Sequence, residues 1–360
     1  MRQNLARTAV GCALALAVCA AATASTAAGR DWKAFPAILQ LDTAADVFAI
    51  GDAHGDWVRL AKVLLGAKLI AAPPSASDQV TWAGGGSVLV ITGDMIDKGP
   101  DSLGVIALVR ALRSNAATRG GRVIVTMGNH EAEFLADPGG SKTQEFRDEL
   151  IKAHLDPKAV GNCDGDIGAF LCTLPIAVRV NDWFFSHAGN SNGRTIDALA
   201  AAIEAGAKHG FDTPELVGKN SILEARTNKQ GPCGLPWFQD GCSKKHPERL
   251  LLPDYIKALG VHHLVQGHQY GDVTFPDGVK RKKGRFYQRY GLLFLIDTGM
   301  SSGITDSDNS GGGALRITGS GSEAQAIVIC PDGKDTKILW SKDVTDHADK
   351  FCSRDAAPGN

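Results

Sequence analysis

No charge of either sign dominates this sequence. It holds 38 basic and 39 acidic residues, a formal net charge of −1, without the strong basic excess that marks most nucleic-acid binders. Beyond the first 28 residues no apolar run is long enough to cross a bilayer, so the mature chain is expected to carry no integral membrane segment. No cysteine pair has the C-x2-C spacing of a structural zinc site. There is no internal repeat, no linker between halves, and no low-complexity run beyond "SGGG" at residues 310–313.

What remains is an ordinary globular composition. The chain has 360 residues, 44% hydrophobic and 21% charged, enough for one sizeable core. Residues 1–28 have the pattern of an export signal. Arg2 and Arg7 form a basic start, an apolar stretch "AVGCALALAVCAAA" follows, and small residues lead to a cleavage site after Ala28, with one near Ala24 as the alternative. A cytosolic N-terminal helix or an uncleaved anchor is the competing reading. "LAVC" ending at Cys19 departs from a lipoprotein box because Val18 stands where a small residue belongs. The mature chain, residues 29–360, is expected to be a single domain, periplasmic or secreted. Six cysteines stay with it, and an even count in an exported chain favours disulfides. Their grouping suggests Cys163–Cys172, Cys233–Cys242 and Cys330–Cys352, among the 15 pairings that six cysteines allow.

Apolar runs of strand length end repeatedly in Gly-Asp or Gly-Asn: "DVFAIGD", "SVLVITGD" and "RVIVTMGN". Helical patterns at 56–69 and 102–114 lie between them. Strands alternating with helices predict an α/β fold with a sheet buried on both faces. Polar residues just past the carboxyl ends of such strands line the active crevice. Further strands are expected at 175–180, 183–189, 261–268 and 291–299, with a late hairpin from "ALRITG" and "EAQAIVIC" and "KILW" beside it. The regions 136–173 and 208–250, richer in Pro, Gly, Cys and polar residues, are read as insertions over the active face, pinned by disulfides.

Five strand ends present hard oxygen and imidazole groups: Asp52 and His54; Asp94 and Asp97; Asn129, His130 and Glu131; His187; His268. Any one of them alone fits turn chemistry or an isolated surface or core histidine. Five in series do not. Carboxylate, imidazole and amide donors suit manganese, iron or zinc. Two such ions about 3.5–4 Å apart would clamp the oxygens of an in-line displacement, and need a bridging carboxylate to offset their repulsion.

The ordered set "GDAHG", "GDMIDKG", "GNHE" and two later histidines resembles the calcineurin-like metallophosphoesterase superfamily, and with "GNHE" its phosphoprotein-phosphatase branch, especially the bacterial and Shewanella-like members. The match spans roughly residues 46–300. It implies an αββα sandwich of two mixed sheets flanked by helices, with the active site at the carboxyl ends of strands. It further implies that Asp52 and His54 hold one metal, Asn129, His187 and His268 the other, and Asp94 both. A metal-bridging hydroxide would attack phosphorus directly. His130 would protonate the leaving oxygen, kept cationic by Asp97, and Glu131 would support the loop.

Two departures from the branch stand out. Lys98 replaces the usual arginine, a point charge where a bidentate fork is expected. Tyr270, in "GHQY", replaces the second histidine of the wider superfamily's "GHxH", which agrees with the phosphoprotein branch. Arg226 is the candidate second phosphate-binding cation; a helix-end arginine bonded to the last carbonyls is the alternative. Trp237 and Phe238 fit either an aromatic wall beside the substrate or core packing. The basic run "KRKKGR" at 280–285 fits a solvated hairpin tip, with attraction of anions to the cleft and nucleic-acid binding as the other readings. Asp297 is read as structural or as support to the ligands. The function expected is an exported phosphatase acting on phosphorylated protein or peptide. A small-molecule phosphohydrolase for nucleotides or dinucleoside polyphosphates is the alternative, and a binding protein that has lost catalysis is the third reading.

Overall fold

The computed structural model describes residues 30–227, 236–240, 249–275, 278–306, 310–319, 321–334, 336–344 and 346–354. The proposed signal segment and the Cys233–Cys242 pair lie outside the described residues. The chain opens with β1 (Ile38–Leu41) and β2 (Val47–Ile50), then α1 (Trp57–Gly66), β3 (Val88–Ile91), α2 (Ser102–Ala117) and β4 (Arg122–Val125). Helices α3 (Asn129–Ala136), α4 (Gln144–Lys152), α5 (Pro157–Gly161) and α6 (Gly165–Cys172) follow, then β5 (Ala177–Val180) and β6 (Trp183–Ser186). After α7 (Ile196–Gly206) and α8 (Pro214–Val217) come the short ribbon β7 (Gln239–Asp240) and β8 (Arg249–Leu250), α9 (Leu252–Leu259), β9 (His263–Gln266), and a second ribbon, β10 (Val273–Thr274) with β11 (Lys280–Arg281). The last strands are β12 (Phe286–Arg289), β13 (Leu293–Leu295), β14 (Ala314–Thr318), β15 (Gln325–Ile329), β16 (Thr336–Trp340) and β17 (His347–Lys350).

Two mixed sheets result. One has seven strands in the order β1-β5-β6-β9-β13-β12-β17, the other six in the order β16-β15-β14-β2-β3-β4. Strands β2, β3 and β4 run parallel, as do β6, β9 and β13. Side chains alternate across a strand, and here both faces are apolar. Val47, Ala49, Val88 and Val90 pack with Val178, Val180, Phe185, Val265 and Phe294 between the sheets. Phe48, Ile50, Leu89 and Ile91 face a second core shared with α1 and α2 through Leu60, Leu64, Val105 and Val109. That double burial is why these strands read as unbroken apolar runs. The architecture is the expected α/β sandwich of two mixed sheets flanked by helices.

Asp56 accepts the Arg59 amide at 3.0 Å and Asp101 the Gly104 amide at 2.6 Å, so an aspartate caps each of the first two helices. Asp56, one of the three polar side chains of "GDAHGDW", is thereby committed to α1. It also accepts the amide and hydroxyl of Ser302, at 2.8 and 2.6 Å. The region 136–173 forms three helices, with the Cys163–Cys172 bridge joining the turn before α6 to its last residue. Cys330–Cys352 is also formed. It joins the end of β15 in one sheet to the segment just past β17 in the other.

The reading of "KRKKGR" as a solvated tip is corrected. Lys280 and Lys282 are exposed, but Arg281 is fully buried. Its guanidinium donates to the carbonyls of Gln269 (2.6 Å), Gly271 (3.0 Å), Arg285 (2.7 Å from Nη2) and Asp297. Trp237 and Phe238 are buried too, edge to face with centroids 5.2 Å apart, which makes them core.

Candidate active site

The named polar residues fall between one and six positions past the carboxyl ends of β2, β3, β4, β6 and β9. Their backbones are tied together before any side chain is considered. The amides of Ala53 and His54 bond the Asp94 carbonyl at 3.2 and 2.9 Å, and the Gly55 amide bonds Met95 at 2.8 Å. A Cβ on Gly99 would stand 1.9 Å from the His54 carbonyl oxygen, and one on Gly303 would stand 1.3 Å from that of Lys98. Only glycine allows these turns to press together. Glu131, fully buried, accepts the amides of Asp94, Met95, Ile96 and Gly128 at 2.7–3.3 Å, which is the loop support expected of it. His54, Asp94 and His268 sit at φ of 38°, 49° and 66°, a left-handed conformation that surrounding structure must impose.

Six side chains converge: Asp52, His54, Asp94, Asn129, His187 and His268, each no more than 7% exposed. His54 gives its Nδ1 hydrogen to the Ile96 carbonyl at 3.0 Å, and His187 gives its own to Thr92 at 2.7 Å. A carbonyl only accepts, so in the neutral imidazole each Nε2 is left with an inward-facing lone pair. His187 Nε2 lies 2.9 Å from Asn129 Oδ1 and 3.4 Å from Asp94 Oδ2; His268 Nδ1 lies 3.1 Å from both Asn129 Oδ1 and His187 Nε2. His54 Nε2 lies 3.4 Å from Asp94 Oδ2 and 3.9 Å from Asp52 Oδ2. Lone pairs facing one another at these distances repel unless a cation sits among them. Imidazoles oriented by a backbone carbonyl on the far nitrogen are also the usual setting of metal ligands. The donors therefore fit divalent or trivalent cations, and the groups His54–Asp94–His130 and Asp94–His187–His268 each lie within one ion's reach.

Without a cation, the same acidic groups draw a proton onto the His187 Nε2, the place a metal ion would take by displacing it. Burial and the neighbouring Asp297 push the Asp52 carboxyl well above its usual range. The Asp94 carboxyl goes the other way: burial opposes it, but His187 and His130 hold it well below that range. Burial would lower His187, yet Asp94 and Asp52 lift it to about 10. Burial and Lys98 lower His54, and burial with His187 and Arg226 lowers His268. Lys98 holds its ammonium 3.0 Å from His54 Nε2, a cation placed on a donor atom.

His130 stands beside this cluster. Its Nδ1 is 2.9 Å from Asp97 Oδ2, its Nε2 4.0 Å from Asp94 Oδ2, and its amide bonds Asp94 Oδ1 at 3.0 Å. Burial opposes the imidazolium, but the Asp94 charge and the Asp97 hydrogen bond outweigh it and raise the His130 pKa. The side chain is 12% exposed and opens on a cleft of about 410 Å³ that Lys98, Lys142 and Gln144 also line. Arg226 is exposed, in the loop after α8 rather than at a helix end. The neighbouring Thr227 is held by Gln269 Oε1, which accepts its amide at 2.9 Å and its hydroxyl at 2.6 Å, directly beside His268. Asp297 is buried with one oxygen on the Gly299 amide at 2.8 Å. Ser301 and the start of α4 also shape the site without having been singled out in the sequence, and Arg281 does so in a way its basic run did not suggest. Ser301 binds the His54 carbonyl at 2.8 Å; no motif marks such a contact.

A two-sheet sandwich with this donor set at its strand ends defines a metallophosphoesterase. The calcineurin-like phosphoesterase family model matches residues 45–272, and the chain belongs to that family. It is 39% identical over 270 residues to an uncharacterized protein of Schizosaccharomyces pombe, covering 71% of this chain and 73% of that one. It is 30% identical over 149 residues to Shewanella-like protein phosphatase 1 of Plasmodium berghei, covering 40% of this chain and 38% of that one. A symmetrical bis(5'-nucleosyl)-tetraphosphatase of Methylococcus capsulatus is 30% identical over 165 residues, covering 44% of this chain and 49% of that one. Among solved structures, a cold-active protein tyrosine phosphatase superposes with a TM-score of 0.61 at 20% identity, over 86% of this chain and 82% of that one. That likeness is one of fold. Among the described residues, no helix is long and apolar enough to cross a membrane.

Proposed function

We propose that this protein is an exported phosphatase that removes phosphate from phosphorylated protein or peptide. Two metal ions drawn from manganese, iron and zinc would be held by Asp52, His54 and Asp94 on one side and by Asp94, Asn129, His187 and His268 on the other. When bound, such ions act as Lewis acids toward phosphoryl oxygens and lower the pKa of an attacking water. The observation that carries the reading is the His130–Asp97 pair, 2.9 Å apart, set against the same Asp94 on which both donor groups converge. In that position the His130 Nε2 proton passes to the leaving oxygen as the P–O ester bond breaks, and water supplies the oxygen gained by phosphorus. Asp97 fixes the imidazole through Nδ1 and favours its cationic form before transfer. Lys98 and Arg226 would offset the phosphate charge. Export is supported by the basic and apolar pattern of residues 1–28 and by two disulfides among the described residues.

The second reading is a small-molecule phosphohydrolase. It is favoured by the relatives named as bis(5'-nucleosyl)-tetraphosphatases and by a point-charge lysine at position 98. A panel of phosphotyrosine, phosphoserine and phosphothreonine peptides beside nucleotides and dinucleoside polyphosphates decides between them. The protein is assayed metal-stripped and then with manganese, iron or zinc restored. Metal-dependent peptide turnover, abolished in Asp94→Asn, is the expected result. Turnover on nucleotides alone would transfer the assignment to the second reading, and unchanged phosphate release by Asp94→Asn would overturn the ligand assignment.

A further inference from the structure

Asp97 and Lys98 are consecutive non-glycine residues in the left-handed region, at φ of 62° and 60°. Such a pair needs outside support, and the support comes from the start of α4. Thr143, at the N-cap of that helix, makes no side-chain cap bond. The cap arrives instead from a distant loop: Asp97 Oδ1 accepts the Phe146 amide at 2.8 Å, the third amide of the helix, where a capping carboxylate belongs. Glu145, one residue earlier, reaches back and accepts the Lys98 amide at 2.7 Å. One turn on, Glu149 accepts the amides of Ser102 and Leu103 at 3.0 and 2.7 Å, and Ser102 Oγ accepts the Asp97 amide at 3.1 Å. The two ends thus cap each other in trans, and Asp97 meets His130 with the one oxygen the helix leaves free.

We infer that Glu145 is a positioning residue for the Asp97–His130 pair and that the start of α4 aims the proton donor. This rests on the proposed phosphatase reading. Glu145 lines the same cleft as His130 and Lys98, but the bond it makes there is to the Lys98 amide, which fixes the peptide after Asp97. Losing that bond loosens the Asp97 carboxylate and with it the direction of the His130 Nε2 proton. The loss is felt where a proton is needed by the leaving group and little where it is not.

Two aryl esters of similar size separate these cases. The phenolate of 4-nitrophenyl phosphate leaves unprotonated, whereas that of phenyl phosphate needs a proton. With the mature, manganese-loaded protein, Glu145→Ala is expected to lower kcat for phenyl phosphate about fivefold, the worth of one backbone hydrogen bond, and for 4-nitrophenyl phosphate less than twofold. Glu145→Gln, which keeps an acceptor oxygen, restores the ratio. Glu145→Asp withdraws the oxygen by one carbon while keeping the charge, and gives the same uneven loss should the alanine variant fold poorly. Equal losses on the two esters, or no loss, in a variant with wild-type thermal stability overturn the inference alone. A wild-type protein silent on both esters in every metal overturns the phosphatase reading, and the inference with it.

Discussion

Replacing Arg281 with methionine tests whether the buried guanidinium organises the loop that carries His268. Methionine keeps most of the aliphatic stem and removes every donor. Four carbonyls, those of Gln269 and Asp297 buried and those of Gly271 and Arg285 partly buried, then lose a charged partner. Hydrogen bonds to a charged group contribute about 1.5–3 kcal/mol each. The simple sum is too large, because burying the guanidinium itself costs several kcal/mol, a cost the variant escapes. Burial draws this group down to about 10, with Asp297 and Asp272 opposing, so it remains cationic at neutral pH. The balance is a net loss of roughly 3–5 kcal/mol, from unpaired carbonyls at about 1–3 kcal/mol each less the recovered desolvation of the guanidinium. For a chain of this length that is about 5 °C in Tm. Urea unfolding of wild type and variant, fitted with a common slope, measures it. Gln269 and Gly271 flank Tyr270 just after His268, so manganese affinity measured by calorimetry should fall in parallel. Arg281→Lys has three donors on one point and cannot span four carbonyls; it should recover no more than about half. A loss below about 1 kcal/mol, or a lysine variant as stable as wild type, would refute the argument.

The remaining predictions concern the staples and one carboxyl pair. Cys330→Ser should cost about 3 kcal/mol, from a sequence separation of 22, and Cys163→Ser slightly less, from a separation of 9; urea midpoints that do not move under oxidising conditions would contradict this. Glu224 is pushed up to about 7 by burial first and then by its hydrogen bond and charge partner Glu133. Folded, it keeps a proton that the unfolded chain has already lost, so its contribution is complete below the ordinary carboxylate pKa and disappears as pH climbs through about 7. Glu224→Gln should flatten that decline by an amount on the order of 2 kcal/mol, read from stability curves between the two pH limits; an unaltered slope would show that the pair is not the source.

How far the sequence could be read follows from what its patterns encode. Strands buried on both faces are apolar at every position, so β2, β3 and β4 stand out, and donor-bearing turns at their ends stand out with them. The six converging residues and the His130–Asp97 pair were legible for that reason. Edge strands carry no such mark. β1 (ILQL) and β17 (HADK) are four residues each, partly polar, and defined by the neighbours they pair with. Cysteine grouping suggested the Cys330–Cys352 bridge, yet nothing local says that it joins the two sheets. Arg281 was misread because a run of basic residues looks solvated, whereas burial here depends on four carbonyls, one from the run itself and three from two other places in the chain. The start of α4 was hidden for the same reason. Glu145 and Phe146 act on residues 47 to 49 positions away, through backbone amides that leave no compositional trace. The chemistry-bearing side chains are thus written locally, as strand-end motifs. Their aim is set by backbone contacts between segments distant in sequence, and relatives that share the motifs while differing at position 145 should differ in how strongly their rates depend on the leaving group.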